Sequence, residues 1–497
     1  DFIVMQELTD FIVPFLTWLV LILYTGAIIG VAVQVIYETT SPSKTLGYLL
    51  LIIFVPLLGV ILYLSIGVNY RNRNMYSKKV MADDATEAEV KRYIKTLKHE
   101  ALELDNPAIQ QYENLARYIA SDRIHWLSQY NDVTLLNNGE EKFPEVLKAL
   151  ENAKSTIHIE YYIVRNDKIG NAIKEVLIRK AKEGVKVRFI YDDFGSGAIR
   201  KAYAKELRDA GVEIYPFRKL IFIMLANRLN YRNHRKIIVV DGVVGFVGGI
   251  NIGDEYINEG KGAEDLYYRD THVKVVGYSC YSLQYIFLSD WNFCANQRIV
   301  PSEKYFPHID RSQFDHHQET AQIVASGPDS PEPMIMNSLI LAIANSKREV
   351  LITTPYFVPS EMVLSALKMA AMSDVKVKVL IPKKTNSFFV RCAANSLFET
   401  LMDAGVEIYH YERGFIHAKT SVFDRKVAMV GTANMDNRSF DLNFEVNAVV
   451  YDEPFAKRMA DDFFEDLNHA TKIDPVEWKK SRSKARIFFE KAIYLSS

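Results

Sequence analysis

Cysteine is scarce in this chain, with Cys280, Cys294 and Cys392 the 3 present among 497 residues. Their odd number and the lack of any Cys-x-x-Cys spacing argue against a disulfide framework or a cysteine metal site, so they read as reduced residues facing a reducing compartment. A charge excess is also missing. Lys plus Arg total 60 against 61 for Asp plus Glu, a net charge of −1, which gives no general attraction to nucleic acid or to an anionic surface. Any basic patch must be local. Charge is absent altogether from residues 11–37 and 45–68, and each stretch exceeds the roughly 20 residues needed to cross a bilayer. Together they predict a transmembrane hairpin, with Pro56 and Gly59 as a tolerated kink in its second span. A cleaved signal peptide fits poorly, because the first stretch is too long, lacks a basic front and is followed at once by a second.

Basic residues set the expected orientation. Arg71, Arg73, Lys78 and Lys79 follow the second stretch, while Lys44 alone lies in the connecting loop, so the bulk of the chain is expected in the cytoplasm. Its length calls for two to four folding units. We expect a hairpin over 1–70, a charged helical linker over 71–130, a first lobe over 131–300, a connection over 301–320 and a second lobe over 321–497. The linker expectation comes from apolar residues at helical intervals in a charged background, such as Tyr93, Ile94, Leu97 and Leu102. The connection is marked by Pro301, Pro307 and the adjacent His316 and His317. Neighbouring side chains diverge, so that histidine pair reads as solvated loop rather than metal ligand.

The two lobes are inferred from a repeat. Residues 157–164 (IHIEYYIV) parallel 350–358 (VLITTPYFV), 185–190 (VKVRFI) parallel 375–380 (VKVKVL), and AGVEIY occurs at 210–215 and 404–409. Strands alternating with helical segments predict an α/β fold in which each lobe is a mostly parallel sheet flanked by helices. The repeat is sharpest in H-x-K-x4-D-x6-G-x-x-N, read as His234, Lys236, Asp241, Gly248 and Asn251, then as His417, Lys419, Asp424, Gly431 and Asn434. One histidine can accept a phosphoryl group, a second can handle the proton, and Lys and Asn can hold phosphate oxygens.

Spacing says where these side chains point. His and Lys two apart on a strand share a face. Asp241 and Asp424 come seven positions after their histidines, an odd offset, and Asp241-Gly242 is a hairpin-turn pair. Both aspartates are therefore candidates of the motif whose main role is turn and hydrogen-bond support. The chain then returns through Gly248 or Gly431 to bring Asn251 or Asn434 back beside His and Lys. A lone strand histidine is usually a satisfied core residue, but a decayed duplicate would show a broken His, Lys or Asn, and neither copy does. Each histidine needs a carboxylate on its other ring nitrogen. Asp270 (YYRDTHVKV) and Glu445 (LNFEVNAVV) are the candidates, at unequal distances from Asn251 and Asn434.

These motifs, with the apolar pair carrying Pro56–Leu57–Leu58–Gly59, the run DVTLLNNGEEKFPEVLKALENAKSTIHIEYYIVRND and the later GTANMDNRSFDLNFE, resemble the bacterial cardiolipin synthases of the phospholipase D superfamily over nearly the whole chain. The resemblance implies joining of two phosphatidylglycerol molecules into cardiolipin with release of glycerol, through a phosphatidyl-histidine and without metal or organic cofactor. It also implies an acidic partner for each histidine, which favours Asp270 and Glu445, and a bacterial plasma membrane location facing inner-leaflet lipids. A phospholipase D or phosphatidylserine synthase would use the same intermediate with another acceptor. A nuclease would use similar half-sites, but the apolar hairpin and balanced charge disfavour nucleic acid as partner. Residues 217–231 (FRKLIFIMLANRLNY) divide between a buried helix and a lipid-dipping segment beside His234. Lys479, Lys480, Arg482, Lys484 and Arg486, near Trp478, Phe488 and Phe489, divide between a solvated helix face and a headgroup-binding one.

Overall fold

The computed structural model describes residues 2–38, 42–63, 106–122, 124–217, 231–262, 265–314, 319–385 and 387–495. Tyr93, Ile94, Leu97, Leu102, His316, His317 and residues 218–230 fall outside them. The chain divides into two compact units, a small N-terminal one and a large one that holds both repeats.

In the small unit, Phe2–Glu38 is one helix, and its part Ile12–Tyr37, with mean hydropathy 2.4, is long and apolar enough to cross a membrane. Two of its threonines bond within the helix, Thr17 Oγ1 donating to Val13 O and Thr25 Oγ1 to Leu21 O, which lowers the cost of placing these hydroxyls in hydrocarbon. The second apolar stretch differs from the single kinked span expected. It forms Pro42–Phe54 and Pro56–Leu62, broken at Val55 (φ −137°, ψ 69°). Pro56 lacks an N–H and disfavours helical backbone in the residue before it, so the break falls where the sequence puts it. Gly59 lies so close to the Leu51–Ile52 backbone that a Cβ would come within 2.5 Å of Ile52 N.

The large unit is built on one sheet. Its first half contributes β1 (Ser128–Asn137), β2 (Thr156–Tyr161), β3 (Lys186–Tyr191), β4 (Glu213–Pro216), β5 (Lys236–Val240), β6 (Val244–Gly248), the short β7 (Tyr267–Arg269) and β8 (Thr271–Gly277). The second half contributes β9 (Glu319–Ser326), β10 (Glu349–Thr353), the short β11 (Phe357–Val358), β12 (Lys376–Pro382), β13 (Glu407–Tyr411), the short β14 (Gly414–Ile416), β15 (Thr420–Phe423), β16 (Val427–Gly431), the short β17 (Met435–Asp436), β18 (Glu445–Tyr451) and β19 (Ala470–Lys472). Fifteen strands run in the order β19-β13-β12-β10-β15-β16-β18-β9-β1-β8-β6-β5-β2-β3-β4. Apart from β19 at the outer edge of the second half, the order reads the same outward from the β9/β1 seam in both directions, which is the structural form of the sequence repeat.

Three expectations are corrected here. The lobes do not carry separate sheets, because β1 pairs antiparallel with β9 across the seam. Nor is either half mostly parallel. Parallel pairing is confined within this sheet to β2-β3-β4 and β10-β12-β13, where helices Lys168–Lys182 and Glu361–Met372 return the chain in the same direction. The motif strands come back through tight hairpins and are antiparallel, β5 to β6 and β15 to β16. Both faces are covered. Ile237 and Val239 of β5 join an apolar cluster that runs through both halves, while Ile238 and Val240 join the cluster of the first half. The helices Pro107–Gln111 and Glu113–Ile119 are not surface linkers either. Tyr112 between them and Leu115, Ala116 and Ile119 of the second are buried in the core of the second half.

The motif aspartates close the hairpins. Asp241 and Gly242 have φ +51° and +71°, and Asp424 and Arg425 +53° and +54°, the backbone of a two-residue turn with both central residues left-handed. Asp241 accepts from Lys154 N, Ser155 N and Thr156 N at 2.7–2.8 Å. Asp424 accepts from Lys347 N, Arg348 N and Glu349 N at 2.7–2.9 Å. Each carboxylate thereby ties the turn to the start of β2 or β10. At about 3.3 Å per residue, seven positions put it roughly 20 Å along the strand from its histidine. Asp241→Asn and Asp424→Asn keep a side chain that tolerates positive φ but lose charge-assisted bonds. Each is expected to cost about 1–2 kcal/mol and to lower the unfolding midpoint in detergent by a few degrees while kcat per folded molecule stays near wild type.

Candidate active site

Each histidine is stitched to the opposite half. β14 pairs in parallel with β7, setting Ile416 against Arg269, and His417 N donates to Arg269 O at 2.6 Å. The next residue on the partner strand is Asp270. In the mirror arrangement an isolated parallel bridge sets Asn233 against Phe444, His234 N donates to Phe444 O at 2.9 Å, and the next residue is Glu445. The carboxylates are therefore crossed: His417 Nδ1 is 2.7 Å from Asp270 Oδ2 and His234 Nδ1 is 2.9 Å from Glu445 Oε2.

This contact fixes the tautomer. His234 Nδ1 also faces Thr432 O at 3.1 Å, and neither a carbonyl nor a carboxylate can donate, so Nδ1 carries the proton and Nε2 keeps a lone pair. The same holds at His417. The unequal sequence offsets of the two carboxylates, 19 positions after Asn251 and 11 after Asn434, are taken up before β7. In register they are equivalent, since Gly248 pairs with His272 and Gly431 with Asn447, each two residues beyond its carboxylate.

The local supports differ between halves. A Cβ on Gly249 would lie 2.1 Å from Asp270 Oδ1, so glycine there is what lets Asp270 approach. In the second half that place is held by Thr432, whose Oγ1 donates to Glu445 Oε2 at 2.5 Å, and Asn443 Nδ2 donates to Glu445 Oε1 at 3.1 Å. Asn251 is braced, its Nδ2 donating to Tyr256 OH at 2.7 Å and its Oδ1 accepting from Ile163 N at 3.3 Å. Asn434 is not. Its Oδ1 is buried without a partner, beside a cavity of about 30 Å³ that Lys419 also lines.

Lys236 and Lys419 are buried, and each folds its Nζ onto the carbonyl of its own histidine, Lys236 at 2.8 Å from His234 O. Neither forms an ion pair within 4.0 Å among the described residues. Two buried ammonium groups without carboxylate contact are expensive unless an anion arrives to meet them.

The comparisons with known proteins match this geometry. A family model described as "Cardiolipin synthase, PLD-like domain" matches residues 146–261 and again 339–467, and one described as "Phospholipase_D-nuclease N-terminal" matches residues 26–67. The protein named cardiolipin synthase from Alkalihalophilus pseudofirmus is 40% identical over 476 residues, covering 96% of this chain and 92% of its own. The chain belongs to the cardiolipin synthase family of the phospholipase D superfamily. Cardiolipin synthase 2 of Bacillus cereus is 42% identical over 452 residues, 90% of this chain and 86% of its own. The crystal structure of phosphatidylserine synthase from Haemophilus influenzae shares the fold at TM-score 0.55, with 14% identity, covering 78% of this chain and 100% of that one. Membership makes this a membrane-associated phosphatidyltransferase.

Burial dominates the titration of the family's paired motifs here. It pushes His417 down to about 4, Lys419 adding to the effect and Asp270 opposing it. His234 is likewise lowered, by burial first and against the pull of Glu445. Both rings are neutral at neutral pH. Burial lowers Lys236 to about 7 and Lys419 to about 8, with the nearby carboxylates working the other way. Burial pushes Asp270 and Glu445 upward, but the lysine and histidine beside each outweigh it, so both stay ionised.

Several residues that frame the site were not picked out by motif spacing. Tyr162 lies with its ring centroid 4.8 Å from that of His234, and Tyr256 lies 6.0 Å from His417. Arg235, inside the first motif, pairs with Asp290 and donates Nε to Glu445 O at 3.3 Å. These contacts are set by chain crossing, and no local periodicity announces them.

Gly249→Ala is expected to lower kcat at least tenfold, about as much as Asp270→Asn, with the unfolding midpoint nearly unchanged. Because the lysines are charged only below their folded pKa, kcat/KM of the free enzyme should fall as pH rises through about 7 to 8. Lys236→Arg stays charged, so whatever activity it retains should show that limb displaced to higher pH; an unmoved limb would assign it to another group.

Proposed function

We propose that the chain makes cardiolipin from two phosphatidylglycerol molecules, with His234 as nucleophile and His417 as general acid and base. The observation that carries this reading is the crossed pair of histidine–carboxylate contacts, which leaves two Nε2 atoms and two unpaired lysines for one anion. The phosphodiester of the first lipid supplies the negative charge that the buried cations lack, and protonation of His417 accompanies its entry. His234 Nε2 forms a bond to phosphorus while the bond from phosphorus to the glycerol oxygen breaks. His417 passes its Nε2 proton to that oxygen, and glycerol leaves. His417 then takes the proton from a primary hydroxyl of the second phosphatidylglycerol, whose oxygen attacks phosphorus as the P–N bond breaks. Cardiolipin is released and both rings return to neutrality.

Lys236, Lys419, Asn251 and Asn434 hold the equatorial oxygens through the two transition states, a task that metal ions perform in other phosphoryl-transfer sites. Glu445 stabilises His234 while it carries the phosphatidyl group, and Asp270 stabilises the protonated His417. The choice of His234 over His417 as nucleophile follows the family resemblance, since burial lowers both rings. We further propose that the N-terminal unit crosses the membrane more than once and that the large unit lies on the cytoplasmic side, which follows the placement of Arg71, Arg73, Lys78 and Lys79.

With phosphatidylglycerol labelled at phosphorus, acid quenching should leave label on wild-type protein and none on His234→Ala. Label surviving on His234→Ala would move the nucleophile to His417. Mass spectrometry of wild-type products should give cardiolipin and glycerol, whereas phosphatidic acid would show that water is the acceptor.

A further inference from the structure

Two helices of the second half carry aromatic side chains that the fold leaves uncovered. Phe388 and Phe389 open the helix Phe388–Asp403, and Phe488 and Phe489 lie on Lys484–Leu495. They are 52%, 67%, 76% and 49% exposed. Loose rings on a frayed terminus would mean little, but this terminus is clamped. Glu490, 2% exposed, accepts from Asn395 Nδ2 and Arg486 Nε at 3.2 Å each and pairs with Arg482, and Ile493 is buried in the core. Glu490 and Ile493 fix this helix against the core, and Phe488 and Phe489 stay exposed on it. Three of the rings form one patch, Phe388 lying 5.8 Å from Phe389 and 6.2 Å from Phe489, and Phe488 is the residue next to Phe489.

Cations border the patch. The Arg391 guanidinium sits 5.6 Å from the Phe388 ring, and a cavity of about 270 Å³ beside it is lined by Arg391, Arg486, Lys383, His410 and Trp478. Lys383 is paired with Glu412 and Arg486 with Glu490, whereas Arg391, Lys384 and Lys484 form no ion pair with a described residue. Exposed aromatics rimmed by unpaired cations have the composition of a surface that meets anionic lipid, rings at the acyl boundary and charges at the phosphates. A second copy of the chain, docked patch to patch, would instead set like charges against each other.

We propose that this patch docks on an anionic phospholipid bilayer, with the four phenylalanines entering the acyl boundary and Arg391 and Arg486 drawing a headgroup phosphate into the cavity between the helices. The contact shares no residue with the histidine site, and it gives the second half its own hold on the membrane.

The test uses the full chain reconstituted in vesicles, in a Trp18→Phe background, with a tryptophan probe read against lipid brominated on the acyl chain. In phosphatidylglycerol vesicles, Phe489→Trp and, independently on the other helix, Phe388→Trp should each lose at least half of the added emission. Val300→Trp, at a position 45% exposed elsewhere, should lose little. Arg391→Gln combined with Arg486→Gln should reduce the quenching about twofold or more. Quenching no greater than at Val300 for both probes overturns the proposal, as does equal quenching in phosphatidylcholine vesicles. Unquenched, blue-shifted emission together with cross-linked dimers assigns the patch to a second copy and also overturns it. The readout needs no turnover, so it stands or falls apart from the reaction proposed above.

Discussion

The structure turns on an exchange between halves in which each imidazole is held by a carboxylate from the other repeat. His417 depends on Asp270 and His234 on Glu445, and each contact is positioned by a short parallel pairing that brings the residue before the histidine beside the residue before the carboxylate. The same device is used twice. A half on its own would therefore present an imidazole without its orienting partner and a buried carboxylate without its cation, and the second of these is costly.

The lysines carry the complementary constraint. Lys236 and Lys419 are desolvated without a carboxylate in contact, and their resting hydrogen bonds go to the carbonyls of the histidines beside them. The polypeptide accepts an electrostatic deficit that a phosphodiester can fill. Burial thus lowers the lysines toward neutrality and holds the histidines neutral, so nucleophile and charge clamp arise from one cause. Water-filled surroundings would relax both effects together.

Much of this was legible in the chain. The paired motifs, the AGVEIY copies and the alternation of strands with helices locate β2 to β6 and β10 to β16, and the odd offset of Asp241 and Asp424 places them away from the histidine face. Other features were not. The mixed character of the sheet hinges on hairpins whose strands are as uniformly apolar as parallel ones, because both faces of β5 are covered. The β1/β9 seam joins strands far apart in sequence with an irregular register at Ser128 and Asn131, and no local pattern marks it. Asp270 and Glu445 stand at unequal sequence distances from Asn251 and Asn434, yet register makes the positions equivalent. The kink expected at Pro56 is there, but it goes as far as a break at Val55 that divides the second apolar stretch into two helices.

The seam carries one more consequence. A homodimer built from a single repeat would have to accept every mutation in both sites at once, so its centre could never become lopsided. Carrying both copies in one polypeptide, with β1 paired to β9, lifts that restriction. Gly249 with a short aspartate on one side and Thr432 with a longer glutamate on the other are departures from symmetry that only a covalently fused pair can accumulate, and they give the two imidazoles different neighbours from which to specialise.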